Sequence, residues 1–255
     1  MNVQDVLDLI EKVAPSALAD EWDNVGLMCG KRKSMVTKVL LAVDITTDVL
    51  NEAISLGCDL ILAHHPFLFS KLSVIDDKDV KSRQIIELLE NKISVISAHT
   101  NADSADGGMN DYLANLLGLK DVKTTAFSKY MRVGKLAQDS TVEKFTTVVK
   151  EKLKLPFVLV VGDKNAPVKR VAVSTGGADV DEMIAAKKKY DVIVTGEFNY
   201  HKALDISEAG VNSIVCQHYS SELLFTWWME EILQKNMPKL DVLISNSQKE
   251  PFQLL

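Results

Sequence analysis

Short apolar, β-branched runs alternate along the chain with longer segments in which apolar residues recur every three or four positions. The former pattern predicts strands and the latter amphipathic helices. Residues 38–45 (KVLLAVDI) read as a strand, 46–57 (TTDVLNEAISLG) as a helix with a threonine cap and a glycine stop, and 58–64 (CDLILAH) as a second strand. A helix over 79–92 and a strand over 93–99 (ISVISAH) follow. The same order then returns as strand 168–175, helix 178–190, strand 191–197, helix 201–210 and strand 211–218. Alternation of this kind predicts βαβ units and a mainly parallel sheet, so the expected class is α/β with two domains of similar topology. Apolar periodicity is weakest over residues 120–130, which puts the expected junction near 125, with a first domain over 1–125 and a second over 126–255.

Composition narrows the class of protein. A chain of 255 residues with 47% hydrophobic content can bury a core in one large or two ordinary domains. Its formal charge of −6, from 29 basic and 35 acidic residues, argues against a nucleic-acid binder, which needs clustered cations for phosphates. The cluster Lys187–Lys188–Lys189 ends a helical stretch and reads as a solvated face favoured by the helix dipole. Cys29, Cys58 and Cys216 are far apart and form no C-x-x-C, so they fit a reducing compartment rather than a disulfide framework. The acidic, amphipathic start MNVQDVLDLIEKVAP lacks the basic and apolar regions of a signal peptide. No window approaches the ~18 consecutive apolar residues of a membrane span. A soluble, cytoplasmic protein is expected.

The chemistry gathers at strand ends, where open α/β sheets bind their ligands. His64 and His65 end the second strand, and SAHTNAD after the third supplies His99 and Asp103. In the second half Glu197 ends one strand, and CQHYSSE ends the next with His218 and Glu222. Pro66 keeps His65 extended, so the two adjacent imidazoles are expected to diverge and serve different partners. His218 and Glu222, at i and i+4, share one face of a starting helix. Neutral imidazoles with carboxylates form a nitrogen–oxygen set suited to Zn, Mn, Fe or Co. Plainer readings stand beside this one. His99 and Asp103 would satisfy each other, His201 fits a solvated helix start, and Glu197 fits a turn. Two glycine pairs, Gly107–Gly108 and Gly176–Gly177, precede helices and read as anion-binding N-termini or as tight turns.

Five segments, EWDNVGLMCG (21–30), AHHPF (63–67), SAHTNADSADGGMNDYLA (97–114), VTGEFNYH (194–201) and QHYSSE (217–222), together resemble the type 2 GTP cyclohydrolase I homologue family, also called NGG-one-interacting-factor-three-like. The resemblance spans nearly the whole chain, in the compact form without an inserted mid-chain domain. It implies two interlinked three-layer α/β domains with a dinuclear metal site between them, and a ring-shaped homo-oligomer, commonly a hexamer. It also implies two divalent metal ions per chain, with His64, His65, Asp103, His218 and Glu222 as ligands. His99 and Glu197 match positions lining the site and are the expected general acid/base residues. Asp23 and Asn24 of the WDN motif would orient ligands or cap a turn. Gln217 departs from the family, where glycine is frequent. The implied activity is metal-dependent hydrolysis of a nucleotide, with hydroxide from a bridging water opening a guanine ring as in GTP cyclohydrolase. A phosphoester hydrolase, or a metal-binding interaction or regulatory protein without turnover, are the alternatives.

Overall fold

The structure, a computed structural model, describes residues 1–253. Its strands in chain order are β1 (Gly26–Cys29), β2 (Lys38–Ala42), β3 (Leu60–Ala63), β4 (Ser94–Ser97), β5 (Lys120–Thr124) and β6 (Arg132–Thr141). These are followed by β7 (Leu159–Val161), β8 (Pro167–Gly177), β9 (Val192–Glu197), β10 (Ser213–Val215) and β11 (Asp241–Ile244). The chain forms two compact units, one of Met1–Gly108 with Phe225–Leu255 and one of Met109–Leu224.

The first unit holds a five-stranded sheet in the order β1-β4-β3-β2-β11, parallel except for β1. All four residues of β3 are buried. A strand covered on both faces has no polar side to show, which is why its sequence is continuously apolar rather than alternating. Leu40, Ala42, Ile61, Ala63 and Val95 pack with Val49, Leu50 and Ala53 of the helix Thr47–Ser55 and with Ile85 and Leu88 of the helix Val80–Glu90. Both helices begin where a side-chain oxygen satisfies an orphan amide: Thr46 accepts from Val49 N, and Asp79 accepts from Ser82 N.

The second unit holds a six-stranded sheet in the order β5-β6-β8-β9-β10-β7. Only β8, β9 and β10 are mutually parallel; β5, β6 and β7 pair antiparallel. Its core joins Ala172 and Ile193 of the sheet to Val180, Met183 and Ala186 of the helix Val180–Ala186 and to Ile206 of the helix Tyr200–Glu208.

The strand–helix–strand skeleton read from the sequence is present in both units, but the division of the chain differs from 1–125 and 126–255. Strand β11 pairs parallel with β2, Val242 opposite Val39 and Leu243 opposite Leu40, so the C-terminal segment completes the first sheet. The expected junction falls just after β5, an edge strand with lysines at 120 and 123 and largely exposed side chains. Edge strands carry charge instead of apolar alternation, and so this one reads locally as a linker.

Candidate metal centre

Strands β2, β3 and β4 end in register, with Ala42 opposite Ala63 and Ala63 opposite Ser97. Residues just beyond them therefore collect at one edge of the first sheet. The ladder runs on past the strand, with His64 N donating to Ala42 O at 3.1 Å and His65 N to Val43 O at 2.9 Å. Strand β3 itself stops at Ala63, so strict alternation no longer separates the two histidines. Their rings do not diverge as expected: their centroids stand 5.1 Å apart, and each lies near His99, at 5.2 Å from His64 and 5.4 Å from His65.

One nitrogen from each of His64, His65 and His99 lies within 4.8 Å of the others. The Nδ1 atoms are all engaged by oxygens. His64 Nδ1 meets the Ala98 carbonyl at 2.9 Å, His65 Nδ1 meets Asp44 Oδ1 at 2.8 Å, and His99 Nδ1 meets Asp23 Oδ1 at 2.9 Å. A carbonyl or carboxylate oxygen accepts, so each Nδ1 is the donor. This is how metal-ligating imidazoles are held in one tautomer and orientation. Asp103, on the short helix Thr100–Ser104, brings Oδ2 to 3.9 Å from His64 Nε2. It does not occupy His99 Nδ1, which belongs to Asp23.

Asp23 has an orienting role. Besides His99 it accepts from the Thr100 hydroxyl and amide and from the Asn24 amide. Burial alone would push its carboxyl up, but the bonds from His99 and Thr100 outweigh that and bring it down to about 2. Asn24 ties the neighbouring loop, donating from Nδ2 to Leu68 O at 2.6 Å. Asp44 is absent from the residues that the sequence singles out, although it stands two residues beyond β2 and follows the strand-end rule that finds the others.

In the second unit His218 and Glu222 open and close the helix His218–Glu222, with Nε2 and Oε2 3.0 Å apart. His218 Nδ1 meets Glu197 Oε1 at 3.1 Å, so Glu197 flanks the imidazole opposite Glu222. Gly176 explains one glycine pair: a Cβ there would collide with Glu222 Oε1 and stand 3.6 Å from His218 Nε2. Its amide also donates to Ser221 Oγ at 2.9 Å. The other pair is likewise structural, since Gly107 O accepts from Trp228 Nε1 at 3.0 Å and a Cβ on Gly108 would strike the Ala102 carbonyl. His201 lies exposed on the helix Tyr200–Glu208, against the Tyr200 ring.

The sequence matches the family model Duf34/NIF3 (NGG1p interacting factor 3) over residues 1–251. The chain belongs to this family. A Clostridium perfringens relative named "GTP cyclohydrolase 1 type 2 homolog" is 34% identical over 262 residues, covering 100% of both chains. The crystal structure of Staphylococcus aureus protein SA1388 superposes with a TM-score of 0.90 at 30% identity, covering 100% of this chain and 99% of that one. Reduced HcgD from Methanocaldococcus jannaschii gives a TM-score of 0.84 at 28% identity, over 96% and 98% of the two chains. The α/β architecture is thus that of the Duf34/NIF3 proteins. Its imidazole cluster could hold a metal ion. Among the described residues, no helix is long and apolar enough to cross a membrane.

Proposed function

We propose that the protein binds two divalent metal ions through His64, His65, Asp103, His218 and Glu222 and hydrolyses a nucleotide or related small molecule, as the name of its bacterial relatives suggests. The observation that carries this reading is the grouping of three imidazoles, each held at Nδ1 by an oxygen acceptor in the manner of metal-ligating histidines. A row of carboxylate, imidazole and carboxylate at Glu197, His218 and Glu222 supports the second half of the ligand set, because a cation offsets the two negative groups. Bound divalent ions would supply Lewis acidity and a water of lowered pKa. Around them Asp44 orients His65, Glu197 orients His218, and Asp23 fixes His99. His99 is the first choice for the general acid/base, taking up a proton at Nε2 and then passing it to the leaving group while Asp23 holds Nδ1, with Glu197 second. Guanine ring opening and phosphoester cleavage both fit this arrangement. We further propose that the chain works in the cytoplasm as a homo-oligomer, a hexamer by family resemblance.

Protein purified without chelator should carry up to two divalent ions per chain by elemental analysis, and Asp103→Ala or Glu222→Ala should lose most of this metal. Loaded with Zn, Mn or Fe, it should release formate from GTP or phosphate from a phosphoester panel. His99→Ala should abolish turnover with metal retained. Metal content unchanged in both His65→Ala and Asp103→Ala would sink the ligand assignment. Turnover absent with every metal would favour a binding or regulatory protein.

A further inference from the structure

Beside the imidazole cluster, the first unit leaves two large rings in solvent. Trp22 is 60% exposed and Phe69 59% exposed, although both flank a structured site. Their ring centroids are 5.9 Å apart and tilted by 55°, and Trp22 meets His99 edge-on at 6.0 Å. Trp22 is therefore in ring contact with both His99 and Phe69. Below Phe69 opens a cavity of about 600 Å³, walled by Met28, Leu68, Leu72 and Ile75 and reaching Asp23. That volume lies within the ~300–1,000 Å³ range of small-molecule sites.

Asp23 and Asn24 are already engaged within the protein, so the walls offer apolar contact from Met28, Leu68, Leu72 and Ile75, with Ser70 and Lys71 as the polar groups at the rim. Such a surface favours a flat body with an apolar face and a few polar edge groups over a bare sugar. Exposed aromatic faces bind planar rings by stacking, tolerant of the ring's identity. We infer that Trp22 and Phe69 form a stacking surface for a planar heteroaromatic ring of nucleobase size, seated on the cavity with one edge toward His99. The stacking surface itself needs no metal. Only its use in catalysis rests on the metal-dependent reading above.

The test is titration of the full-length protein with guanosine, adenosine and uridine, with ribose as the ring-less control. Intrinsic tryptophan quenching reports binding, and elemental analysis and light scattering are run on the same samples. Nucleosides should quench the wild type, whereas ribose should not. Trp22→Ala and Phe69→Ala should each weaken binding roughly ten- to a hundredfold, as expected for loss of a stacked ring, and Trp22→Phe should restore most of it as followed by calorimetry. Metal content should stay the same throughout. The inference is overturned if no nucleoside binds at millimolar concentration, or if ribose binds equally well. It is also overturned if Trp22→Ala leaves binding unchanged but lowers the oligomeric mass, which would make these rings a subunit contact. Ring binding that survives in protein shown to bind no metal would leave this inference standing and remove the proposed function. Metal without ring binding would do the reverse.

Discussion

Gln217 holds φ 70° and ψ 150°, a conformation natural to glycine and strained for any residue with a Cβ. It immediately precedes His218, so the strain sits at the start of the short helix that presents His218 and Glu222. Such strain costs of order 1–3 kcal/mol, whereas glycine's extra freedom in the unfolded chain costs about 0.5–1 kcal/mol. Strain is the greater of the two costs. Gln217→Gly should therefore stabilise the protein by about 1 kcal/mol in chemical denaturation with metal content unchanged, and a destabilised variant would show that the backbone is held there without strain.

At the level of elements, the Glu52 carboxylate fastens the C-terminal segment to the helix Thr47–Ser55, with the Lys249–Asp48 pair beside it. Glu52 accepts from the Ser245 hydroxyl and from the amides of Asn246 and Ser247 at 2.9 and 3.1 Å. Burial raises its carboxyl, but these bonds outweigh burial and leave it below its ordinary value. Asp59 is lowered in the same way: burial raises it, and the bonds from Thr37, just before β2, and from Lys38 at its start outweigh that. A depressed folded-state pKa means the unfolded chain binds the proton more readily. The stabilisation is complete above the ordinary carboxylate range near ~4 and is lost as pH falls through the lower folded values. Thermal stability should be flat from neutrality to about pH 5 and then decline below about pH 4. Glu52→Gln should cost about 1–2 kcal/mol at pH 7 and flatten part of that decline. An unchanged acid limb in this variant would remove Glu52 from the account.

For the whole molecule, the apolar run in the helix Leu224–Asn236 gives little support for self-association. Phe225, Trp228 and Leu233 are core residues, buried to 3% exposure or less. Edge strand β7 gives more, since Leu159 and Val160 are exposed on a strand with an unpaired side. Light scattering at micromolar concentration should return several times the 28.2 kDa of one chain. A single-chain mass would reject the homo-oligomer.

Local periodicity and capping chemistry are enough to lay out the strand–helix–strand skeleton. Those signals lie within single segments, such as the all-apolar Leu60–Ala63 and the threonine that caps Thr47–Ser55. The strand-end rule likewise brings out His64, His65, His99 and Asp103, because parallel strands in register must finish at a common edge. What holds the imidazoles is not legible in this way. Asp44 lies 21 residues from His65, and Asp23 lies 76 residues from His99. Nothing in the local pattern links such pairs. The same is true of β11, whose partner β2 lies at the other end of the chain and whose pairing makes the first unit discontinuous. Hydrogen bonds between distant segments carry no periodicity of their own, so the tautomers of the site and the true division of the chain were decided only when the backbone closed on itself.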